Sequence, residues 1–168
     1  MEKRDKQKQA GLVISTQLNT MKYTSDVRIR LGREELLALF DNSENLKKWQ
    51  PGLKHMKHLS GEPGQEGART RLVYEGRKGD LIMTETISKK NLPDEFHFTY
   101  RAKGVFNEVY NYFSEPEKGT TLWKSVNIFQ FRGLMALMAP FMKKAFIQNT
   151  LLNMDHFKIF AETGESIN

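Results

Sequence analysis

Apolar positions along this chain change their spacing twice before a long amphipathic stretch closes it. From Met21 to Arg30, Tyr23, Thr24, Val27 and Ile29 favour an extended backbone and predict a first strand. Leu36, Leu37 and Phe40 then fall on one side of a helical step over Arg33–Asp41. Ser43 is placed to cap a second short helix, Glu44–Trp49, which Pro51-Gly52 ends. Alternation returns over Leu53–Ser60, Ala68–Glu75, Leu81–Lys89, Phe96–Lys103, Val105–Ser114 and Thr121–Phe131. Short turns rich in Gly, Pro, Asn and Asp separate these runs, which predicts an antiparallel meander. Over Gly133–Glu162 the step is helical again. Met142, Phe146, Thr150, Met154, Phe157 and Ala161 form one stripe, with Lys144, Gln148, Asp155 and Lys158 off it. Pro140 lacks a backbone donor, so a short helix, a break or kink, and a longer helix are expected there.

Six strands cannot bury their inner face against two short helices, and the terminal helix supplies the missing partner. The expected architecture is α+β: a seven-stranded curved antiparallel sheet around a long C-terminal helix, with two short helices between strands 1 and 2. Residues 1–20 read as a flexible tail, 21–162 as one domain, and 163–168 as a C-terminal tail.

Strand alternation also sorts the side chains, because the face carrying ionised groups belongs outside. Lys124 and Gln130 mark the outside of the last strand, which leaves Trp123, Ser125, Asn127 and Phe129 inside. Glu108 does the same for Asn107, Val109, Asn111 and Phe113. Phe96, Phe98 and Tyr100 are inner partners of outward His97, Thr99 and Arg101, and Ala68, Thr70, Leu72 and Tyr74 of outward Arg69 and Arg71. With Met83 on its strand, Met142, Phe146 and Met154 on the helix and Trp49 at one end, these residues predict the wall of an apolar pocket. Its polar members Asn107, Asn111, Ser125 and Asn127 need partners, found either in each other and the backbone or in water and a ligand's polar end. Glu85 shares a face with Leu81, Met83 and Ile87. Burial there would raise its pKa and equip it as a proton donor or acceptor; a carboxylate reaching a tyrosine, an arginine or the cavity mouth is the plainer alternative.

Composition narrows the chemistry. The 168 residues include no cysteine, which removes disulfides, thiolate metal sites and thiol nucleophiles. The net charge is +6, but its lysines and arginines are scattered among 20 acids and interleave with no aromatic run, so nucleic acid is not an expected partner. No apolar run reaches bilayer length, and Leu12-Val13-Ile14 is too brief for a signal-peptide core, so a cytoplasmic location without integral membrane association is expected. His55, His58, His97 and His156 show no metal-ligand spacing. There is no nucleophile elbow, Walker loop or dinucleotide fingerprint, so no metal and no cofactor are expected.

Three phrases carry a resemblance: Leu36-Leu37-Ala38-Leu39-Phe40-Asp41 leading to Trp49, Gly119-Thr120-Thr121-Leu122-Trp123, and Phe131-Arg132-Gly133-Leu134-Met135 opening the last helix. Over residues 21–162 the chain resembles the START-like (Bet v 1-like, SRPBCC) superfamily in its polyketide cyclase/dehydrase-like branch. That resemblance implies a helix-grip fold with a cavity between sheet and helix. Its members bind lipids, sterols and polyketides; some catalyse cyclisation or dehydration, and others bind protein. The expected function is to hold a small hydrophobic ligand without transforming it. Two alternatives stand beside it: a cyclase/dehydratase-like enzyme with Glu85 as general base, and a module that binds a protein or membrane surface through its basic exterior and the apolar stretch Leu134–Phe141.

Overall fold

The computed structural model describes residues 19–167, so nearly all of the expected 1–20 tail lies outside the described residues. Strand β1 spans Thr20–Ile29. Helix α1 (Arg33–Phe40), a 3-10 turn (Ser43–Asn45) and helix α2 (Leu46–Trp49) follow it. Then come β2 (Leu53–Ser60), β3 (Arg69–Tyr74), β4 (Leu81–Asn91), β5 (Glu95–Ala102), β6 (Val105–Glu117), β7 (Thr120–Phe131) and helix α3 (Leu134–Thr163). The sheet order is β1-β7-β6-β5-β4-β3-β2, antiparallel throughout. Consecutive strands therefore pair from β2 to β7, and β1 returns to the far edge beside β7. Register shifts between Leu53 and His55, His58 and Ser60, Ile87 and Lys89, and Ser114 and Glu117 are the irregularities that let such a sheet bend.

Two local expectations are corrected. Asn42, not Ser43, caps the turn into α2: its side chain accepts from the Glu44 N–H at 3.0 Å. Helix α3 also runs unbroken through Pro140. A proline's fixed φ is already helical, and only the bond to the Ala136 carbonyl is lost. Pro140 itself is exposed.

The start of α3 is seated on the β5–β6 turn, where Arg132 N–H donates to the Gly104 carbonyl at 2.9 Å. Gly104 has φ +74, and a Cβ there would come within 2.9 Å of the Met135 side chain and 3.1 Å of the Arg132 carbonyl. A glycine is required at that contact. Beyond it the helix packs chiefly against β1, with smaller contacts to β7 and α2. Tyr23 on β1 donates to the Phe146 carbonyl at 3.2 Å and bonds the Thr150 hydroxyl at 2.8 Å. After the helix, Ile167 N–H donates to the Lys48 carbonyl at 2.8 Å.

Because the helix leans on the β1 edge, the core divides. Among the described residues, one cluster gathers at its C-terminal half: Ile29, Leu36, Trp49, Phe96, Phe113, Trp123, Met154, Phe157 and Phe160 with their neighbours. A smaller one, Met21, Phe129, Phe131 and Ala139, seals its N-terminal half with help from Met135 and Phe146. Each cluster buries one end of the helix. The middle of the sheet faces neither.

The outward assignment of His97 needs one refinement. It lies on the outer face but is buried, flanked by the rings of Tyr110 and Tyr112 at 5.1 Å each, with its Nε2 2.8 Å from Glu95. Aromatic cross-strand neighbours can cover a residue on a face that has no second layer.

Candidate functional site

Between the two clusters lies a cavity of about 750 Å³. Alternate residues of β3 to β7 supply its floor, α1 and α2 one end, and α3 the roof, through Met135, Met142, Phe146, Asn149, Thr150, Asn153 and Met154. Its wall is mainly apolar and aromatic, with a limited set of polar groups, the usual composition of a small-molecule pocket.

On the inner face of the sheet the polar groups of the wall fall into two sets. In the first, one cross-strand row runs Thr70–Glu85–Tyr100–Asn107, each residue opposite the next on the inner face. The Tyr100 hydroxyl donates to the Glu85 carboxylate, and no ion pair among the described residues includes Glu85. Burial pushes that carboxyl up to about 7, while the tyrosine hydrogen bond pulls it down by less. What exposure Glu85 keeps is toward the cavity it lines. Burial and the nearby carboxylate hold the Tyr100 phenol well above its ordinary value, and they push the Tyr74 phenol up too. Tyr74 O–H donates to the Gln50 side chain, which ties α2 to β3 at this end.

The second set joins β6 to β7. Asn111 is satisfied within the protein: its Nδ2 donates to the Phe96 carbonyl and its Oδ1 accepts from Trp123 Nε1, both at 3.0 Å. Asn127 donates to Ser125 at 3.2 Å and accepts a long 3.4 Å bond from Asn107. Asn107 Oδ1 is buried with no protein partner, a situation that costs about 1–3 kcal/mol when nothing else serves the group. Asn111 thus answers to the protein interior. Asn107 does not fully.

No protein-family model matches the chain, and no curated protein matches it. Solved structures do match. The Zhui aromatase/cyclase from Streptomyces sp. R1128 superposes with a TM-score of 0.73 at 12% identity, over 85% of this chain and 94% of that one. Ara h 8.0201 gives 0.62 at 10% identity, over 82% and 97%. Truncated norcoclaurine synthase from Thalictrum flavum gives 0.64 at 9% identity, over 86% and 94%. The chain has the Bet v 1-like helix-grip fold. Identities this low carry the architecture and not an activity.

Within the helix-grip cavity, Trp49, Tyr74, Met83, Glu85, Phe98, Tyr100, Asn107, Val109, Asn111, Trp123, Ser125, Asn127, Phe129, Met142, Phe146 and Met154 lie on the wall. Leu72 is the correction. It shares the inner face but is wholly buried between its register neighbours Met56 and Met83, and so lies beneath the wall rather than on it. Alternation gives direction but not depth. Asn149 and Asn153 line the roof without having been singled out in the sequence. Their signal was present: they continue the Met142–Phe146 row at helical spacing and carry no charge. Gln50, His58 and Asp41 also border the cavity, from segments whose approach depends on the tertiary fold. Among the described residues no group of His, Asp and Glu is arranged to hold a metal ion, and no helix is long and apolar enough to cross a membrane.

Proposed function

We propose that this protein holds a small apolar molecule in its internal cavity, as a carrier or sensor, without transforming it. The supporting observation is the separation of the core into two clusters with a walled volume between them. A sequence selected only for stability would fill that space, since each unfilled contact forfeits dispersion and burial energy. The fold's neighbours include an aromatase/cyclase and norcoclaurine synthase, so enzymes are built on it. A catalytic reading of this chain would rest on Glu85 as general base.

Native mass spectrometry of freshly purified protein, followed by organic extraction, tests the reading. A bound apolar compound is expected. Val109→Trp should abolish the bound mass while preserving the far-UV spectrum, because Val109 lies mid-wall, opposite Phe98 and Asn127 in register. Retention of the compound by that folded variant would place it elsewhere and defeat the proposal. An extracted compound that wild type alters and Glu85→Gln leaves intact would replace the carrier reading with the catalytic one.

The outer side of α3 favours a surface-binding role beside this one. Leu134, Leu137 and Phe141 are 75%, 72% and 84% exposed. Lys143 and Lys144 adjoin Phe141 around a shallow groove. Apolar anchors flanked by cations suit an anionic bilayer surface, and Met135 and Met142 of the same turns line the cavity. Co-sedimentation with phosphatidylserine-containing vesicles is expected, weakened about tenfold or more by Phe141→Asp with Leu137→Asp. Equal sedimentation of both proteins would remove this face from consideration.

A further inference from the structure

Charge is distributed unevenly between the exterior and the cavity. The chain carries 26 lysines and arginines against 20 acids. Yet among the described residues not one lysine or arginine lines the cavity, whereas Asp41, Glu75 and Glu85 do. Asp41 is already matched: Lys90 Nζ lies 2.8 Å from its carboxylate and also donates to the Gly64 carbonyl at 2.8 Å. That lysine sits at the rim and is committed there. Glu85 is different. It lies in the wall between Thr70 and Tyr100, receives one hydrogen bond, and has no cation.

From this arrangement we infer that the cavity accepts an apolar molecule bearing a protonated amine and rejects one bearing a carboxylate. The inference deepens the carrier reading and rests on it. A cation enters an apolar pocket only where a countercharge meets it, and Glu85 is a carboxylate that lacks its own. An anion would meet Glu85 with no lysine or arginine on the wall to offset the repulsion, and His58 is the one imidazole that borders the cavity among the described residues. A neutral hydroxyl can donate to Glu85 or to Asn107 without either gain or penalty in charge. The order therefore runs amine, alcohol, carboxylate.

This order opposes the long-range field. A surface of net charge +6 draws anions toward the protein and repels amines, so nonspecific association would produce the reverse. The two sources of preference are separable by experiment.

Isothermal titration at pH 8 and about 0.15 M salt should use decylamine, decanol and decanoate, which share one tail length. Decylamine is expected to bind at least about tenfold more tightly than decanoate, with decanol between them. In Glu85→Gln, the amine's advantage over the alcohol should be lost. Any other order in the wild type, or a full preference retained by Glu85→Gln, overturns the inference while leaving a binding cavity in place. Failure of all three to bind overturns the carrier reading itself, and this inference with it.

Discussion

Phe157→Ala is expected to cost about 3–5 kcal/mol of folding stability. Phe157 is wholly buried, with ring centroids 5.0 Å from Trp49, 5.3 Å from Phe40 and 5.5 Å from Trp123. It therefore locks α3 to α1, α2 and β7 at once. Removing the ring leaves a hole that three rigid aromatics cannot collapse to fill. Met83→Ala should be mild by comparison, about 1 kcal/mol or less, because one side of Met83 already faces the cavity. Urea unfolding with unchanged m-values measures both. Comparable losses at the two positions would mean that Met83 is packed as tightly as Phe157, and the division of the interior into filled and open regions would be wrong.

That contrast also explains what could be read in the sequence. The strands and their inner faces were legible because charged residues mark the outside of nearly every one: Arg69 and Arg71 on β3, Glu108 on β6, Lys124 on β7. The helix stripe was legible for the same reason. Depth was not. Leu72 and Tyr74 have the same alternation and the same face, yet only Tyr74 reaches the cavity. The difference is set by how far the sheet bends and where the helix lies across it, neither of which is a property of local spacing. Pro140 misled for a related reason: a single missing bond at an exposed proline is tolerable, and only tertiary structure reveals that exposure. The four inner polar residues could not be assigned by pattern. Asn111 bonds Trp123 and the Phe96 carbonyl, while Asn107, two alternations away on β6, is left with an unpartnered oxygen.

The same separation between packing and chemistry governs Glu85. In the unfolded chain its carboxyl titrates near 4.5; in the fold, burial raises it to about 7. Between those values the native state holds a proton that the unfolded chain has released, so stability falls as pH rises through the window. Below about pH 4.5 both states are protonated and Glu85 contributes no penalty. Above about 7 both are ionised and the penalty is complete, at roughly 3 kcal/mol from a shift of this size at about 1.4 kcal/mol per unit. Glu85→Gln removes the charge while keeping the shape. The variant is expected to match wild type at pH 4 and to exceed it by roughly 3 kcal/mol at pH 8, with the gap opening between pH 4.5 and 7. Unfolding curves for both proteins across that range give the difference directly, and other titrating groups cancel in it. Tyr100→Phe should widen the window upward, since the tyrosine hydrogen bond is the influence that holds the carboxyl down. A gap that is constant with pH would show that Glu85 reaches water freely. In that event the cavity would lack the uncompensated carboxylate on which its preference for an amine depends.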